Sequence, residues 1–191
     1  MMKMHAGQVV DRFRVGGDDV TLRLPRRADV QDLRFFINAL VDEGERILLQ
    51  GRVSLVEERR WLDRHFKSMR EGTELCLCID IGGRVVGTIS IRREYTPPTA
   101  SDHVATLGFG LLRPYRRRGI MAAAIPRALA FGQQAWGLEI ITSSYAADNE
   151  ASSRLHRRLG FRAHGKVPGG MRYRGRYIDH ILVHRQVRRK K

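Results

Sequence analysis

The segment 107-LGFGLL-112 and the residues after it constrain the fold of this chain most. This apolar run is followed at once by the basic stretch 115-YRRRGIM-121, and residues 119–136 then carry apolar side chains at helical spacing. The order predicts a strand, a tight basic turn and a helix that begins at the turn. A helix N-terminus offers unpaired N–H groups and a partial positive charge, so this turn is suited to hold a phosphate group.

Hydrophobic periodicity along the rest of the chain predicts one α/β domain, since neither an internal repeat nor a second composition regime interrupts it. We divide the chain into a 1–19 N-terminal extension containing a strand, a domain at 20–187 and a basic tail at 188–191. Segments 43–52 and 168–170 are expected to be a connection and a turn. Strands are predicted at 8–15, 20–26, 74–81, 84–93, 104–112, 138–145, 161–167 and 176–187, and helices at 29–42, from Ser54 to before Gly72, at 119–136 and at 149–159.

The charge of the chain favours an acidic partner. Its formal net charge is +15, and only five of its 35 cationic residues are lysines. Arginine suits bidentate recognition of phosphates and carboxylates. A phosphorylated cofactor, an acidic peptide and nucleic acid all stay open, but no zinc-finger, recognition-helix or aromatic-platform pattern supports nucleic acid.

The two cysteines indicate a reducing compartment. Cys76 and Cys78 alternate along one apolar strand and face the same side, where residues two apart cannot form a disulfide. No histidine pair follows at zinc-finger spacing, so no metal is expected. The N-terminus lacks the apolar core of a signal peptide, and no apolar run is long enough to span a membrane. We therefore expect a soluble, cytoplasmic protein.

Two motifs resemble those of the GNAT N-acetyltransferase superfamily. Residues Arg116–Met121 fit its acyl-CoA signature Gln/Arg-x-x-Gly-x-Gly/Ala, except that Met121 stands where a small residue is usual. The second motif, Asn-x-x-x-x-x-Leu-Tyr/His-x-x-Leu-Gly-Phe, is matched by Asn149, Leu155, His156, Leu159, Gly160 and Phe161. In addition, segment 171–180 resembles the closing hairpin of members that acetylate phosphinothricin or ribosomal-protein N-termini.

The resemblance implies a mixed, mostly antiparallel sheet with a splayed strand pair and flanking helices. It also implies an enzyme that moves an acetyl group from acetyl-CoA to a primary amine by direct attack. The bulged strand around Phe109 would pair with the pantetheine arm, and His156, at a position that is often tyrosine, would protonate the departing thiolate. A kink for core packing is the alternative for the strand, and a surface position is the alternative for His156. The implied cofactor-binding residues are Phe109, Gly110, Leu111, Arg116, Arg117, Arg118, Gly119, Ile120, Met121, Asn149 and His156.

The positions at which the family carries a glutamate base hold Thr106 and Ser144, neither of which accepts a proton at neutral pH. His103, Asp102 and Glu94 are open as replacements. An enzyme without a strong base favours an amine of low pKa, either a peptide N-terminus or an amino acid-like molecule, over lysine. A strongly cationic protein also repels polyamines.

Two other functions stay open on the sequence alone. A non-catalytic acyl-CoA-binding member would explain the missing base. A ribosome- or RNA-associated protein would explain the net charge. The sequence also leaves a homodimer open.

Overall fold

The computed structural model describes residues 4–187, so the predicted basic tail at 188–191 lies outside the described residues. The elements alternate between strands and helices much as the periodicity predicts. In chain order they are β1 (Val9–Val15), β2 (Asp18–Arg23), α1 (Val30–Glu43), α2 (Leu55–Glu71), β3 (Glu74–Ile81), β4 (Arg84–Arg92), β5 (Val104–Leu111), α3 (Ile120–Trp136), β6 (Ile140–Ala146), α4 (Glu150–Arg158), β7 (Arg162–Tyr173) and β8 (Arg176–Gln186).

The strands form one sheet in the order β1-β2-β3-β4-β5-β6-β8-β7. Neighbouring strands are antiparallel except β5 and β6, which are parallel and pair only over Val104–Thr106 and Ile140–Thr142. Beyond these residues the two strands diverge, as the predicted splayed pair requires. The fold class is therefore confirmed as α/β with a mixed, mostly antiparallel sheet.

Helices cover both faces of the sheet. A Cβ atom added to Gly110 would lie 3.0 Å from Phe36, so α1 packs on the face that Gly110 presents. A Cβ atom added to Gly132 would lie 3.1 Å from Ile91, so α3 packs on the opposite face. We call these the α1 face and the α3 face. No helix in residues 4–187 is long and apolar enough to cross a membrane.

A capping box begins α2 at the predicted residue, Ser54. Ser54 Oγ accepts a hydrogen bond from the Glu57 amide at 3.2 Å, and the Glu57 carboxylate accepts one from the Ser54 amide at 2.7 Å. Asp29 precedes α1 as predicted, but its side chain does not cap the helix. Its carboxylate instead binds the buried guanidinium of Arg23 at 2.6 Å, which Asp80 also binds at 2.8 Å, so the buried charge is paired.

The expectation of a bulge in the glycine-containing strand is wrong, since β4 and β5 pair without a register shift. The two glycines instead allow close packing, which was the alternative. A Cβ atom on Gly108 would lie 2.8 Å from Ser90 Oγ, and one on Gly110 would press against α1.

The expected turn at 168–170 is also wrong. These residues lie inside β7, where three residues stand opposite the single residue Asp179 of β8, between the pairs Val167–His180 and Met171–Ile178. The Asp179 carboxylate accepts a hydrogen bond from the Gly169 amide at 2.9 Å and so stabilises the irregularity. The reversal occurs at Arg174 and Gly175, both with positive φ.

Candidate active site

The divergence of β5 and β6 opens a cavity of about 1240 Å³. Its wall is formed by β5, the basic turn, the start of α3, the end of β6 and the connection between α1 and α2. Nine of the predicted cofactor-binding residues line it: Phe109, Gly110, Leu111, Arg116, Arg117, Gly119, Ile120, Met121 and Asn149. Arg118 and His156 do not.

The basic turn has the backbone geometry of an anion site. Arg117 and Gly119 have φ values of 61° and 80°, and Gly119 is the N-cap residue of α3. The first bond of the helix runs from the Ala123 amide to the Gly119 carbonyl at 3.0 Å, so the amides of the first turn have no partner within the helix. Arg117 forms no ion pair with any residue of the described part of the chain. The turn thus combines unpaired N–H groups with an available positive charge.

Arg118 supports the turn from outside the cavity. Its guanidinium forms an ion pair with Asp18 at 2.8 Å, and the tip of the β1–β2 hairpin packs against its backbone. A Cβ atom on Gly16 would lie only 2.6 Å from the Arg118 carbonyl oxygen. The N-terminal hairpin therefore holds the turn in place.

The guanidinium of Arg116 is occupied by protein groups. Its Nε donates to the Leu111 carbonyl at 2.7 Å, and its two terminal nitrogens bind the carboxylates of Glu45 and Glu43. Arg116 therefore links the turn to the end of α1. Arg116 would therefore assist an anion at the turn mainly by fixing the position of the turn, because Glu43 and Glu45 already pair with its charge.

His156 lies beneath the cavity wall and is only 1% exposed. Its ring packs against Phe109, Tyr145 and Phe161 at centroid distances of 5.2 to 5.4 Å. The predicted direct contact with a thiolate is not available in this geometry, and neither is the alternative surface position. Ser143 lies between the ring and the cavity, and it lines the cavity wall.

The hydrogen bonds of His156 define which of its ring nitrogens carries the proton. Nδ1 lies 2.8 Å from the Ser152 carbonyl, which can only accept, so Nδ1 carries a proton. Burial lowers the pKa of His156, which favours the neutral ring and leaves Nε2 as an acceptor. Nε2 and the Leu107 carbonyl each lie 2.9 Å from Ser143 Oγ and compete for its single proton. The Ser143 hydroxyl is therefore held at the cavity wall between His156 and the Leu107 carbonyl.

Asn149 positions the start of α4. Its side-chain oxygen accepts a hydrogen bond from the Ser152 amide at 3.0 Å, which caps the helix, and the residue lines the cavity. Because Ser152 also holds His156, the cap and the buried imidazole are parts of one arrangement.

Thr106 and Thr142 face each other where β5 and β6 separate, with their hydroxyl oxygens 2.8 Å apart. Thr106 and Ser144 line the cavity, so both positions lie at the site but carry no base. None of the suggested replacements, His103, Asp102 and Glu94, lines it.

Sequence reasoning missed three titratable residues that do line the cavity: Glu45, Glu74 and His180. Glu45 pairs with Arg116. Glu74 lies 3.7 Å from the buried His65, which lowers the pKa of the glutamate. Glu74 and His180 reach this wall only through the register between strands, and Glu45 through the path of the α1–α2 connection, so no local pattern could have identified their contact with the cavity.

The connection between α1 and α2 is held over the open side of the cavity. Arg46 binds Asp148 at 2.8 Å and stacks over the ring of Tyr173 at 4.1 Å. The Tyr173 hydroxyl donates to the Gly44 carbonyl at 2.7 Å. The hydrogen bond to Asp148 raises the pKa of Arg46 and lowers that of Asp148, so both groups stay charged. This clamp fixes the wall opposite the basic turn.

Comparison with known proteins identifies the family. The Acetyltransferase (GNAT) domain family matches residues 19–162. The chain belongs to the GNAT acetyltransferase family. The motifs around Gly119 and Asn149 had indicated this membership.

Relatives of known activity are acetyltransferases. The L-methionine sulfoximine/L-methionine sulfone acetyltransferase of Pseudomonas aeruginosa is 26% identical over 152 residues, which cover 80% of this GNAT chain and 86% of the relative. The [ribosomal protein uS5]-alanine N-acetyltransferase of Escherichia coli is 28% identical over 83 residues, 44% of this chain and 43% of the relative.

Solved structures share the whole fold at low identity. A RimL ribosomal L7/L12 α-N-protein acetyltransferase in complex with coenzyme A has a TM-score of 0.81 and 16% identity, covering 94% of this chain and 98% of that one. Mycobacterium smegmatis RimJ in complex with a CoA disulfide has a TM-score of 0.80 and 22% identity, covering 94% and 88%.

Proposed function

We propose that this GNAT protein transfers the acetyl group of acetyl-CoA to the α-amine of a peptide N-terminus or of a small amino acid-like molecule. The observation that carries the proposal is the cavity at the diverging strands, because it joins an anion site to an unpaired strand edge. Relatives that hold coenzyme A in the same fold support the cofactor. The two classes of named relatives support the two classes of acceptor.

The basic turn would hold the pyrophosphate of acetyl-CoA. Unpaired amides at the start of α3 and the free guanidinium of Arg117 supply donors and charge, and Gly119 allows close approach. The pantetheine arm would lie between β5 and β6, where the edge of residues 107–111 has no strand partner. Phe109, Gly110, Leu111 and Asn149 line this passage.

The chemistry is direct attack of the amine nitrogen on the thioester carbon. Holding both reactants in one cavity contributes roughly 7–11 kcal/mol to lowering the barrier. A backbone N–H of β5 would polarise the thioester carbonyl. Ser143 Oγ, held in place by the neutral His156, would relay to the departing thiolate the proton that the attacking nitrogen loses. His156 would therefore assist the departure of the thiolate indirectly, by positioning Ser143.

An α-amine is favoured over lysine because of its protonation state. A peptide α-amine has a pKa of about 7.8 and a lysine amine one of about 10.4, so at pH 7 roughly 14% of the former but only about 0.04% of the latter is neutral. The net charge of +15 also favours acceptors that carry carboxylates over polyamines.

The test is a competition at pH 7, with release of coenzyme A thiol as the readout. The acceptors are an alanine-initiated peptide, L-methionine sulfone, an N-terminally blocked lysine peptide and spermidine. We expect kcat/KM to be highest for one of the first two. Turnover that is highest with the blocked lysine peptide or spermidine would contradict the acceptor class. No thiol release with any acceptor would contradict the activity.

We also propose that the protein works in the cytoplasm. Cys76 and Cys78 are both buried and free. Burial raises the pKa of the Cys78 thiol to about 12. Unpaired, protonated thiols suit a reducing compartment.

A further inference from the structure

His180 lies on the acceptor side of the cavity, on strand β8. It pairs with Ala146 across β6, and Leu182, two residues further on, pairs with Ser144. Side chains two apart on a strand share a face, and diagonal neighbours on adjacent strands lie within reach of long side chains. His180 is therefore the diagonal neighbour of Ser144, one of the two positions where the family carries its base.

One row of polar residues lies on the α1 face: Thr106, Thr142, Ser144 and His180. The hydroxyl contact of Thr106 with Thr142 fixes the face of both threonines, and Ser144 follows Thr142 on the same side of β6. His180 belongs to that face and lines the same cavity. The buried His156 lies behind Ser143, on the α3 face. The two imidazoles thus approach the cavity from opposite faces of the sheet.

The ring of His180 is available for proton transfer. It is half-buried, and neither nitrogen forms a hydrogen bond or an ion pair with another residue between 4 and 187. The two carboxylates on the wall are less suitable as bases. Glu45 is engaged by Arg116, and the lowered pKa of Glu74 makes it a weaker base.

We propose that His180 is the general base of the reaction. This inference rests on the proposed function. A neutral ring nitrogen of His180 takes one proton from the acceptor ammonium, and the freed amine attacks the thioester carbon. The C–N bond forms, the C–S bond breaks, and the second amine proton passes through Ser143 Oγ to the departing thiolate, which becomes a thiol. His180 then returns its proton to water, so one proton is released for each acetyl group transferred.

Charged groups on the other walls define the surroundings of His180. From β7 and β8 themselves, Lys166 and Asp179 pair with each other outside the cavity. The charged and phenolic side chains that share the cavity wall with His180 are Glu45, Arg46, Glu74, Arg92, Arg113, Tyr115, Arg116, Arg117, Tyr145, Arg154 and Arg158. Cations outnumber carboxylates on this wall.

The test compares His180→Gln with His184→Gln. His184 lies on the same strand and face, pairs with His164 at 3.3 Å and does not line the cavity, so it is a matched control. The acceptors are the alanine-initiated peptide and L-methionine sulfone, and kcat and KM are measured from pH 5.5 to 8.5. We expect His180→Gln to lower kcat at pH 7 by about 100-fold, the scale of general base catalysis, with unchanged calorimetric affinity for coenzyme A. His184→Gln should keep both values.

Two further readouts separate a chemical role from a structural one. The acidic limb of the kcat profile should disappear in His180→Gln and persist in His184→Gln. Added imidazole should restore part of the activity of His180→Gly. A threefold or smaller loss in His180→Gln, or an unaltered acidic limb, would overturn the assignment while the proposed function stands. A wild type that acetylates neither acceptor would overturn both.

Discussion

At the residue scale, two buried side chains, Glu58 and His156, make the stability of this fold depend on pH. Glu58 lies on α2 with 7% of its surface exposed, and burial raises the pKa of its carboxyl to about 7. Its folded-state pKa exceeds the unfolded value, so its contribution to stability is complete below about pH 4.5 and is lost as the pH rises towards 7. His156 has the opposite sign. Its lowered pKa means that stability is lost as the pH falls below the ordinary histidine value of about 6.5.

Glu58→Gln should therefore stabilise the protein in a pH-dependent way. At pH 8 we expect the free energy of unfolding to rise by about 3 kcal/mol, the equivalent of the raised pKa, and at pH 4.5 by less than about 0.5 kcal/mol. Urea denaturation at the two pH values measures both. The exposed Glu71→Gln on the same helix is the control and should change little at either pH. Equal increments at both pH values for Glu58→Gln would mean that the carboxyl is not buried in its charged form.

Ser143 and His156 should act as one unit. Ser143→Ala and His156→Phe are each expected to lower kcat about 10- to 100-fold, because each removes the hydroxyl or its support, with coenzyme A affinity retained. The double variant should lose no more than the more affected single variant, since the second change removes nothing further. Steady-state kinetics at pH 7 measures all three. Losses that multiply would show that the two residues act separately.

At the scale of elements, the turn between β5 and α3 is the proposed site of a negatively charged ligand. Gly119 has a positive φ, and a Cβ atom there would lie 3.3 Å from Val15, so any side chain adds strain. Comparing Gly119→Glu with Gly119→Gln separates that strain from charge, because the two side chains have the same shape. We expect both to weaken coenzyme A binding, and Gly119→Glu by at least a further 10-fold. Calorimetric titration measures the affinities, and circular dichroism checks the fold.

Equal affinities of the two Gly119 variants would mean that no anion lies at the turn. A Gly119→Glu variant that binds coenzyme A as tightly as the wild type would remove the cofactor site from this turn altogether.

Elements set by local pattern were predictable, and features set by register were not. The capping box at Ser54 and the turn before Gly119 are written in adjacent residues, so the sequence locates them. The irregularity at 168–170 depends on Asp179 from the next strand. His180 reaches the cavity only because β8 pairs with β6. Similarly, the burial of His156 depends on Phe109 and Tyr145, which come from two other strands.

At the scale of the whole molecule, the sheet separates two kinds of chemistry. In the proposed mechanism, groups on the α3 face, Ser143 and His156, would serve the leaving thiolate, and groups on the α1 face, among them His180, would serve the incoming amine. Many of the arginines that give the chain its charge are used within the fold, as Arg23, Arg46 and Arg118 are. The net charge therefore overstates the cationic surface that is available to a partner.

The three bonds of Arg116 couple the two halves of the active site mechanically. One side chain ties the turn proposed for the cofactor to Glu43 and Glu45, and the segment that begins there lines the same cavity. Any redesign of acceptor choice that alters these carboxylates will also shift the turn and thus cofactor affinity. Among the described residues, β8 has no such bond to the turn, so cavity positions on β8 other than His180 can vary without a cost to the cofactor, whereas Glu43 and Glu45 cannot.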